Sequence, residues 1–207
     1  MHSHTILVIL DFDHTLFNTT KLVQAEVDYF RKMFGIPESV FLKTREKVKI
    51  CCIVEDVDWF VHLLPHPDKA ALHEALLSVI RSTSSSCLFA DVLPSLDVLK
   101  GKADILLATH GDSELQEAKI RSSGIPAEFP FAITQTKKSD IIASHINGYT
   151  MIFLVDDKPE NLREAKERFP SVRTCLITRP DDHPYSKSTV DYPGIDHSVA
   201  TLTDLRL

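Results

Sequence analysis

The sequence lacks an excess of basic residues, a long apolar run and a cysteine pattern typical of metal sites. Its 207 residues include 23 Lys and Arg against 29 Asp and Glu, a formal net charge of -6. Nucleic-acid-binding domains usually carry a basic patch, so this balance argues against a nucleic-acid partner. The apolar run near the N-terminus, Ile6–Leu10, is too short for a signal peptide or a membrane span. We therefore expect no membrane association and a cytoplasmic location.

The four cysteines, Cys51, Cys52, Cys87 and Cys175, include no C-x-x-C pair. Zinc sites and dithiol redox motifs commonly use that spacing, so neither is indicated. Reduced thiols of an intracellular protein are the expected state.

Short runs of β-branched and aliphatic residues recur along the chain and are typical of strands buried on both faces of a parallel sheet. These runs are Ile6–Leu10, Ala103–Ala108, Phe131–Thr134, Met151–Val155 and Val172–Ile177. Helical patterns separate the later runs, at Pro94–Lys100, Ser113–Ser123, Ser139–Ile146 and Pro159–Phe169. Strands that alternate with helices predict an α/β fold, with a doubly wound, Rossmann-like parallel sheet.

Residues 18–89 interrupt this alternation with a mainly helical segment. Its predicted helices are Lys21–Phe34, Glu38–Ile50, Val57–Leu64 and Asp68–Arg81. We expect a core domain built from residues 1–17 and 90–207, with a helical domain at 18–89 inserted after the first strand. The segment Arg179–Asp196, rich in Asp, Pro, Ser and Tyr, is predicted to be irregular, with a short apolar element after it at Val199–Leu205.

Acidic side chains and a threonine follow the predicted strands at the points where the strands end. Asp11 and Asp13 follow the first strand, Thr109 follows the second, and Asp156 and Asp157 follow a later one. In open parallel sheets, ligands bind outside the carboxyl ends of the strands, so we expect these side chains to meet at one site. Carboxylates this close repel one another without a cation, and their hard oxygen atoms suit Mg²⁺.

The same residue types can transfer a phosphoryl group. One aspartate can attack phosphorus and form an acyl phosphate that water later hydrolyses. A second carboxylate two residues along can protonate the leaving oxygen and then activate that water. A hydroxyl and backbone amides can hold the phosphate oxygens, and a lysine can neutralise their charge. Lys137 and Lys138 are both candidates for this lysine. We favour Lys138, because the isoleucines three, four and eight residues after it then share one buried helix face.

The order of these residues resembles that of the haloacid dehalogenase (HAD) superfamily. Four motifs of that family have counterparts here in the same order: Asp11-Phe-Asp13-His-Thr15 for motif I (D-x-D-x-T), Thr109-His-Gly111 for motif II, Lys138 or Lys137 for motif III, and Asp156-Asp157 for motif IV. The resemblance spans roughly residues 6–161 of the chain.

This resemblance implies a role for each acidic residue. Asp11 would be the nucleophile and a metal ligand. Asp13 would be the general acid and base, and its backbone carbonyl would also contact the metal. Asp157 would bind Mg²⁺ directly, and Asp156 would bind it directly or through water.

The resemblance also implies how phosphate is held and which branch of the family applies. Thr109, the backbone amide of His110 and Lys138 would bind the phosphate. An insertion directly after motif I is a C1-type cap in that family, which matches residues 18–89. Dehalogenases of the superfamily lack an acid two residues after the nucleophile, so Asp13 favours the phosphatase branch.

The resulting prediction is Mg²⁺-dependent hydrolysis of a small phosphorylated metabolite, a phosphomonoester, through an aspartyl phosphate on Asp11. A phosphomutase of the same fold and a non-catalytic phospho-acceptor or binding protein are the alternatives. The sequence leaves the substrate and the oligomeric state open.

Overall fold

A single parallel sheet organises the computed structural model, which describes residues 4–51, 56–179, 182 and 193–207. Its six strands are β1 (Ile6–Leu10), β2 (Asp104–His110), β3 (Phe131–Thr134), β4 (Met151–Asp156), β5 (Arg173–Ile177) and β6 (His197–Val199). They lie in the order β3-β2-β1-β4-β5-β6, and each neighbouring pair is parallel. The predicted doubly wound α/β fold is therefore confirmed.

The first strand lies between β2 and β4, with Leu10 in register with Leu107 on one side and with Val155 on the other. The carboxyl ends of these three strands consequently lie side by side. The strand order also changes direction at β1, since the chain continues to β2 and β3 on one side and then to β4 on the other. This is the switch point at which open α/β sheets bind ligands.

Four helices follow β1 directly: α1 (Thr19–Phe34), α2 (Glu38–Cys51), α3 (Val57–Leu63) and α4 (Lys69–Thr83). Asn18 caps the first of them by accepting a hydrogen bond from the backbone N–H of Lys21, at 2.8 Å. Gly35 ends that helix with φ of 66°, a left-handed conformation that glycine adopts without steric strain. The division of the chain into two domains, with residues 18–89 as the inserted one, stays a prediction.

The remaining helices connect the strands of the sheet: α5 (Val92–Leu99), α6 (Ser113–Ser122), α7 (Lys138–His145) and α8 (Pro159–Arg168). Asp112 caps α6 by accepting a hydrogen bond from the backbone N–H of Leu115, at 3.0 Å. The predicted helices in this part of the chain are reproduced with ends that agree to within two residues, as is usual for helix termini.

Both faces of the sheet are covered, as the alternation of side chains along β1 shows. Val8 and Leu10 join an apolar cluster that also includes Phe30 and Phe41 of the inserted helices. Leu7 and Ile9 point to the opposite face, where they join the cluster packed under α7 and α8. Each fully buried apolar side chain stabilises the fold by roughly 1.5–3 kcal/mol. This burial fixes the position of β1, whose carboxyl end carries the site.

The structure differs from the sequence prediction in the ends of two strands and in one added strand. Asp156, expected to follow its strand, is the last residue of β4. The second strand runs on to His110, so Thr109 and His110 belong to the strand and do not follow it. An edge strand, β6, precedes the predicted element at Val199–Leu205, and its sequence His-Ser-Val is too short and polar to signal a strand. Most of the segment predicted to be irregular, Arg179–Asp196, lies outside the described residues. None of the described helices is long and apolar enough to cross a membrane.

Candidate active site

The carboxyl ends of β1, β2 and β4 bring the predicted site residues to one edge of the sheet. Asp11 is the first residue after β1, while Asp156 ends β4 and Asp157 follows it. Thr109 and His110 are the last two residues of β2. Because these three strands are adjacent, side chains far apart in the sequence converge here.

Asp11, Asp156 and Asp157 form a compact acidic cluster. One carboxylate oxygen from each lies within 4.8 Å of the other two. Asp11 and Asp156 are buried, at 3% and 0% exposed. Burial, followed by the charge of Asp156, raises the pKa of Asp11 above its ordinary value, although Lys138 opposes both effects. A cluster of buried carboxylates needs positive charge beside it to remain ionised.

Lys138 supplies part of that charge. Its Nζ donates to Asp11 Oδ1 and lies 2.6 Å from Asp156 Oδ2. Burial by itself lowers the pKa of Lys138, but the two carboxylates outweigh it and hold that pKa above its ordinary value. Lys137 points elsewhere: its side chain is 67% exposed and lies 3.3 Å from Glu164. Of the two candidate lysines, the structure places Lys138 in the acidic cluster.

The neighbouring carboxylates of Asp156 and Asp157 have contrasting environments. Asp156 accepts hydrogen bonds from the backbone N–H of Lys158 at 2.8 Å and from Asn161 Nδ2 at 3.1 and 3.0 Å, in addition to Lys138. Both carboxylate oxygens of Asp157 are buried without a hydrogen-bond partner among the described residues. Burial and then the charges of Asp11 and Asp156 raise the pKa of Asp157 to about 9.

This arrangement fits a divalent cation bound by oxygen atoms. The donor set consists of carboxylates alone, which Mg²⁺ prefers over nitrogen or sulfur ligands. The buried, unpartnered carboxylate of Asp157 has the free acceptor oxygens that a cation requires, whereas Asp156 is already satisfied by protein donors. Asp157 is therefore the side chain best able to hold the ion, and Asp11, which accepts hydrogen bonds from Lys138 and Thr15, lies beside it.

Asp13 lies beside this cluster in a different environment. Its carboxylate accepts hydrogen bonds from Thr19 Oγ1, Gln116 Nε2 and Lys119 Nζ, at 2.6, 2.7 and 2.6 Å. Burial raises the pKa of Asp13, but Lys119 outweighs burial and holds that pKa well below its usual range. The pKa values of the two aspartates in the first loop are thus shifted in opposite directions, since that of Asp11 is raised.

Thr109 and His110 end β2, next to the strand end that carries Asp11. The Thr109 hydroxyl is buried and has no hydrogen-bond partner among the described residues. The His110 ring is half-buried, and burial followed by the nearby charges of Lys158 and Lys138 lowers its pKa. The imidazole is therefore neutral at neutral pH.

Five side chains that the sequence does not single out contact the first loop. Thr19, Gln116 and Lys119 contact Asp13, and Arg179 and Asp182 contact the residues around it. Asp182 Oδ2 lies 2.6 Å from His14 Nδ1, and its Oδ1 accepts a hydrogen bond from Thr20. Gln116 and Lys119 lie on a helix that also carries the polar residues Glu114, Glu117 and Arg121, so no pattern distinguishes them in the sequence.

A cavity of about 670 Å³ lies at the opposite end of the sheet, where β1, β2 and β3 begin. Its lining includes Ala103, Ile105, Pro130 and His145, and none of the predicted site residues. Ligands of open parallel sheets bind at the carboxyl ends, so the acidic cluster is the stronger candidate.

Known proteins match this chain through structure alone, since neither a family model nor a curated protein sequence matches it. A haloacid dehalogenase-like hydrolase from Burkholderia xenovorans LB400 superposes with a TM-score of 0.80, at 19% identity, over 97% of each chain. The chain has the haloacid dehalogenase-like fold. The HAD-hydrolase YfnB from Bacillus subtilis, bound to magnesium, matches with a TM-score of 0.68 at 13% identity, over 97% of this chain and 96% of that one.

Proteins of more than one activity share this haloacid dehalogenase-like fold. CbbY from Rhodobacter sphaeroides, in complex with phosphate, matches with a TM-score of 0.60 at 18% identity, over 99% of this chain and 96% of that one. L-2-haloacid dehalogenases are among the similar structures as well. At these identities the similarity establishes the fold, and the choice among activities depends on the side chains of the site.

Proposed function

We propose that this chain is a member of the HAD superfamily and a phosphatase that cleaves a small phosphomonoester through an aspartyl phosphate on Asp11, with Mg²⁺ as cofactor. One observation carries the choice of a phosphatase over a dehalogenase. Residue 13 is an acid, and Thr19, Gln116 and Lys119 all donate hydrogen bonds to it. Dehalogenases of the superfamily lack this acid, whereas the leaving oxygen of a phosphate ester needs a proton.

The proposed reaction has two steps. In the first, a carboxylate oxygen of Asp11 attacks phosphorus, the bond between phosphorus and the ester oxygen breaks, and the leaving oxygen takes a proton from Asp13. Because Lys119 keeps Asp13 ionised in the structure, Asp13 has to take up this proton from solvent when the substrate binds and one of its hydrogen-bond donors moves away. In the second, water attacks the phosphorus of phospho-Asp11 and gives a proton to the Asp13 carboxylate. The bond between phosphorus and Asp11 breaks, inorganic phosphate leaves, and Asp13 is protonated as at the start.

The remaining side chains hold the phosphate and screen its charge. The Lys138 ammonium can contact a phosphate oxygen, and the unpartnered Thr109 hydroxyl can donate to another, as can the backbone amide of His110. Bound Mg²⁺, held by Asp11, Asp157 and the backbone carbonyl of Asp13, with Asp156 direct or through water, would neutralise the negative charge of the phosphate.

We further propose that residues 18–89 act as a C1-type cap over this site. The helices α1–α4 follow Asp11 and Asp13 directly in the chain, and Thr19, the first residue of α1, contacts Asp13. His73 of α4 lies 3.2 Å from Glu114 of α6. This contact joins the inserted helices to the core. Such a segment can exclude bulk water from the reacting phosphate.

The test is hydrolysis of p-nitrophenyl phosphate and a panel of natural phosphomonoesters, with Mg²⁺ and with EDTA. We expect metal-dependent turnover that the Asp11→Asn substitution abolishes. Asp13→Asn should slow turnover of alkyl phosphates by about 10²–10⁴-fold, because their leaving oxygen needs a proton. Asp97→Asn is the matched control, since that side chain is 74% exposed on α5.

Three results would argue against this function. Release of halide from a 2-haloacid without turnover of any phosphate ester would indicate a dehalogenase. Transfer of the phosphoryl group to a second sugar hydroxyl, with little free phosphate, would indicate a phosphomutase. A folded protein that binds Mg²⁺ and turns over no substrate would indicate a binding role.

A further inference from the structure

Asp13 is surrounded by hydrogen-bond donors from two separate helices. Lys119 Nζ of α6 lies 2.6 and 2.8 Å from its two carboxylate oxygens. Gln116 Nε2, also of α6, lies 2.7 Å from Oδ2, and Thr19 Oγ1 of α1 lies 2.6 Å from Oδ1. A carboxylate has about four acceptor sites. These donors therefore occupy the whole of the Asp13 carboxylate.

The helix α6 packs against Asp13 and the end of β2. Gln116 and Lys119 are three residues apart, which places them on one face of the helix, and both are 6% exposed. Gln116 Nε2 also lies 3.2 Å from the backbone oxygen of His110. A Cβ atom on Gly111 would lie 2.7 Å from Gln116 Nε2, so a side chain there would displace the end of Gln116 from its present position. The approach of Gln116 to Asp13 depends on this glycine.

Before Asp13 can exchange a proton with the leaving oxygen or with water, one of its present hydrogen-bond donors has to move away from the carboxylate. Thr19 donates one hydrogen bond from a neutral hydroxyl. Lys119 is charged and contacts both oxygens, and its side chain is 8% exposed. Separating Lys119 from Asp13 would leave an unpaired charge in a buried place, which costs far more than exchanging a hydroxyl. Lys119 is accordingly the donor that stays, and Thr19 the one that is exchanged.

We propose that Lys119 is a positioning residue for the reaction: it holds the Asp13 carboxylate in one orientation through both proton transfers, and Gln116 assists it. This inference rests on the proposed function, which gives Asp13 its part in proton transfer. Loss of Lys119 slows hydrolysis of phospho-Asp11. This effect is easiest to measure with a substrate whose leaving group needs no proton. With such a substrate, formation of phospho-Asp11 does not depend on Asp13, and its hydrolysis still does.

The test is rapid-mixing kinetics of Lys119→Met with p-nitrophenyl phosphate, whose leaving group needs no proton. We expect a burst of about one p-nitrophenolate per enzyme, followed by a steady rate at least about tenfold below that of the unmodified protein. Phosphorylated protein should accumulate in acid-quenched samples of the variant. Lys119→Arg keeps a charged donor with several N–H groups, so it should recover part of the steady rate.

Arg121→Met is the matched control, because Arg121 lies on the same helix with its side chain 62% exposed. It should show no burst and an unchanged rate. Equal slowing of both phases in Lys119→Met would point to a structural role and overturn the inference, and so would an unchanged steady rate. Wild-type protein that turns over no phosphate ester overturns the proposed function itself, whereas active wild type with an unaffected Lys119→Met overturns the positioning role alone.

If Lys119→Met does not fold, two other variants test whether α6 positions Asp13. Gln116→Leu removes a donor that the backbone oxygen of His110 also holds in place, and Thr19→Val removes the donor that is exchanged. We expect a burst with Gln116→Leu and none with Thr19→Val. The opposite pattern, or the same behaviour in both, would contradict the positioning role of α6.

Discussion

Arg179 donates two hydrogen bonds to the backbone carbonyl of Thr15, at 2.8 Å from Nε and 2.6 Å from Nη2. Its Nη1 lies 2.9 and 2.8 Å from the two carboxylate oxygens of Asp91, and its guanidinium carbon lies 4.3 Å from the centroid of the Phe89 ring. Thr15 in turn donates to Asp11 Oδ2, at 3.1 Å. Arg179, two residues after the end of β5, thus supports the loop that carries the proposed nucleophile.

Arg179→Met should lower the free energy of unfolding by about 3 kcal/mol, because it leaves Asp91 without its cation in a largely buried place. Arg179 is 7% exposed, and the Asp91 side chain is 15% exposed. Urea denaturation monitored by circular dichroism would measure the change. Arg81→Met, at a side chain 56% exposed, should stay within about 0.5 kcal/mol of the unmodified protein. A loss from Arg179→Met as small as this control would contradict the supporting role.

A second ion pair makes the stability depend on pH at the edge of the sheet. Asp196 Oδ2 lies 2.8 Å from Lys166 Nζ and accepts the backbone N–H of Thr174, also at 2.8 Å. Burial raises the pKa of Asp196, but the hydrogen bonds from Lys166 and Thr174 outweigh burial and lower that pKa. A carboxyl with a lowered pKa stabilises the folded state above its unfolded pKa, and the benefit disappears as the pH falls through the folded pKa.

Asp196→Asn should therefore be less stable than the unmodified protein by about 1 kcal/mol near neutral pH, with a difference that shrinks in acid. Denaturant unfolding between about pH 6 and about pH 3 would follow this change. Asp97→Asn breaks an ion pair with Lys100 in which the Asp97 side chain is 74% exposed, so it should change the stability at neutral pH by less than about 0.5 kcal/mol. A difference that stays constant across this range would mean that the charge of Asp196 contributes nothing.

Strands and strand-end aspartates could be predicted from the sequence because both depend on local patterns. The apolar runs are long enough to identify β1 and β4, and parallel strands bring their carboxyl ends together whatever the connecting segments are. Asp11, Asp156 and Asp157 accordingly lie where the sequence places them. The choice of Lys138 over Lys137 also followed from a local pattern, the buried face of α7.

Lys119 and Arg179 could not be predicted, since each depends on how distant elements pack. A lysine on an amphipathic helix usually faces solvent, whereas Lys119 is buried and pairs with Asp13, 106 residues earlier in the chain. Arg179 follows the last predicted apolar strand and is separated by 164 residues from Thr15, which it contacts. No spacing rule connects residues so far apart.

Lys138 and Lys137 offer a matched pair of neighbouring lysines. The Lys138 side chain is 6% exposed and contacts Asp11 and Asp156, whereas that of Lys137 is 67% exposed. Lys138→Met should lower kcat/KM for a phosphomonoester by about 10²–10³-fold, because it removes a buried charge from the phosphate site. Lys137→Met should stay within about twofold of the unmodified protein. Equal effects of the two substitutions would contradict the assignment, provided that thermal unfolding shows both variants to be folded.

Asp157→Asn should separate metal binding from folding. Its two carboxylate oxygens are buried without partners among the described residues and lie beside Asp11 and Asp156. Without metal and near neutral pH, the substitution should raise the free energy of unfolding by about 1–3 kcal/mol. The pKa of Asp157 is raised to about 9, so folding has to protonate a carboxyl that is ionised in the unfolded chain, and Asn removes that cost. The increase in Tm that Mg²⁺ gives to the unmodified protein should disappear. Thermal unfolding in EDTA and in Mg²⁺, with calorimetric titration of Mg²⁺, measures both effects. Unchanged Mg²⁺ affinity would exclude Asp157 as a ligand, and a less stable metal-free variant would mean that its carboxylate has a partner in the fold.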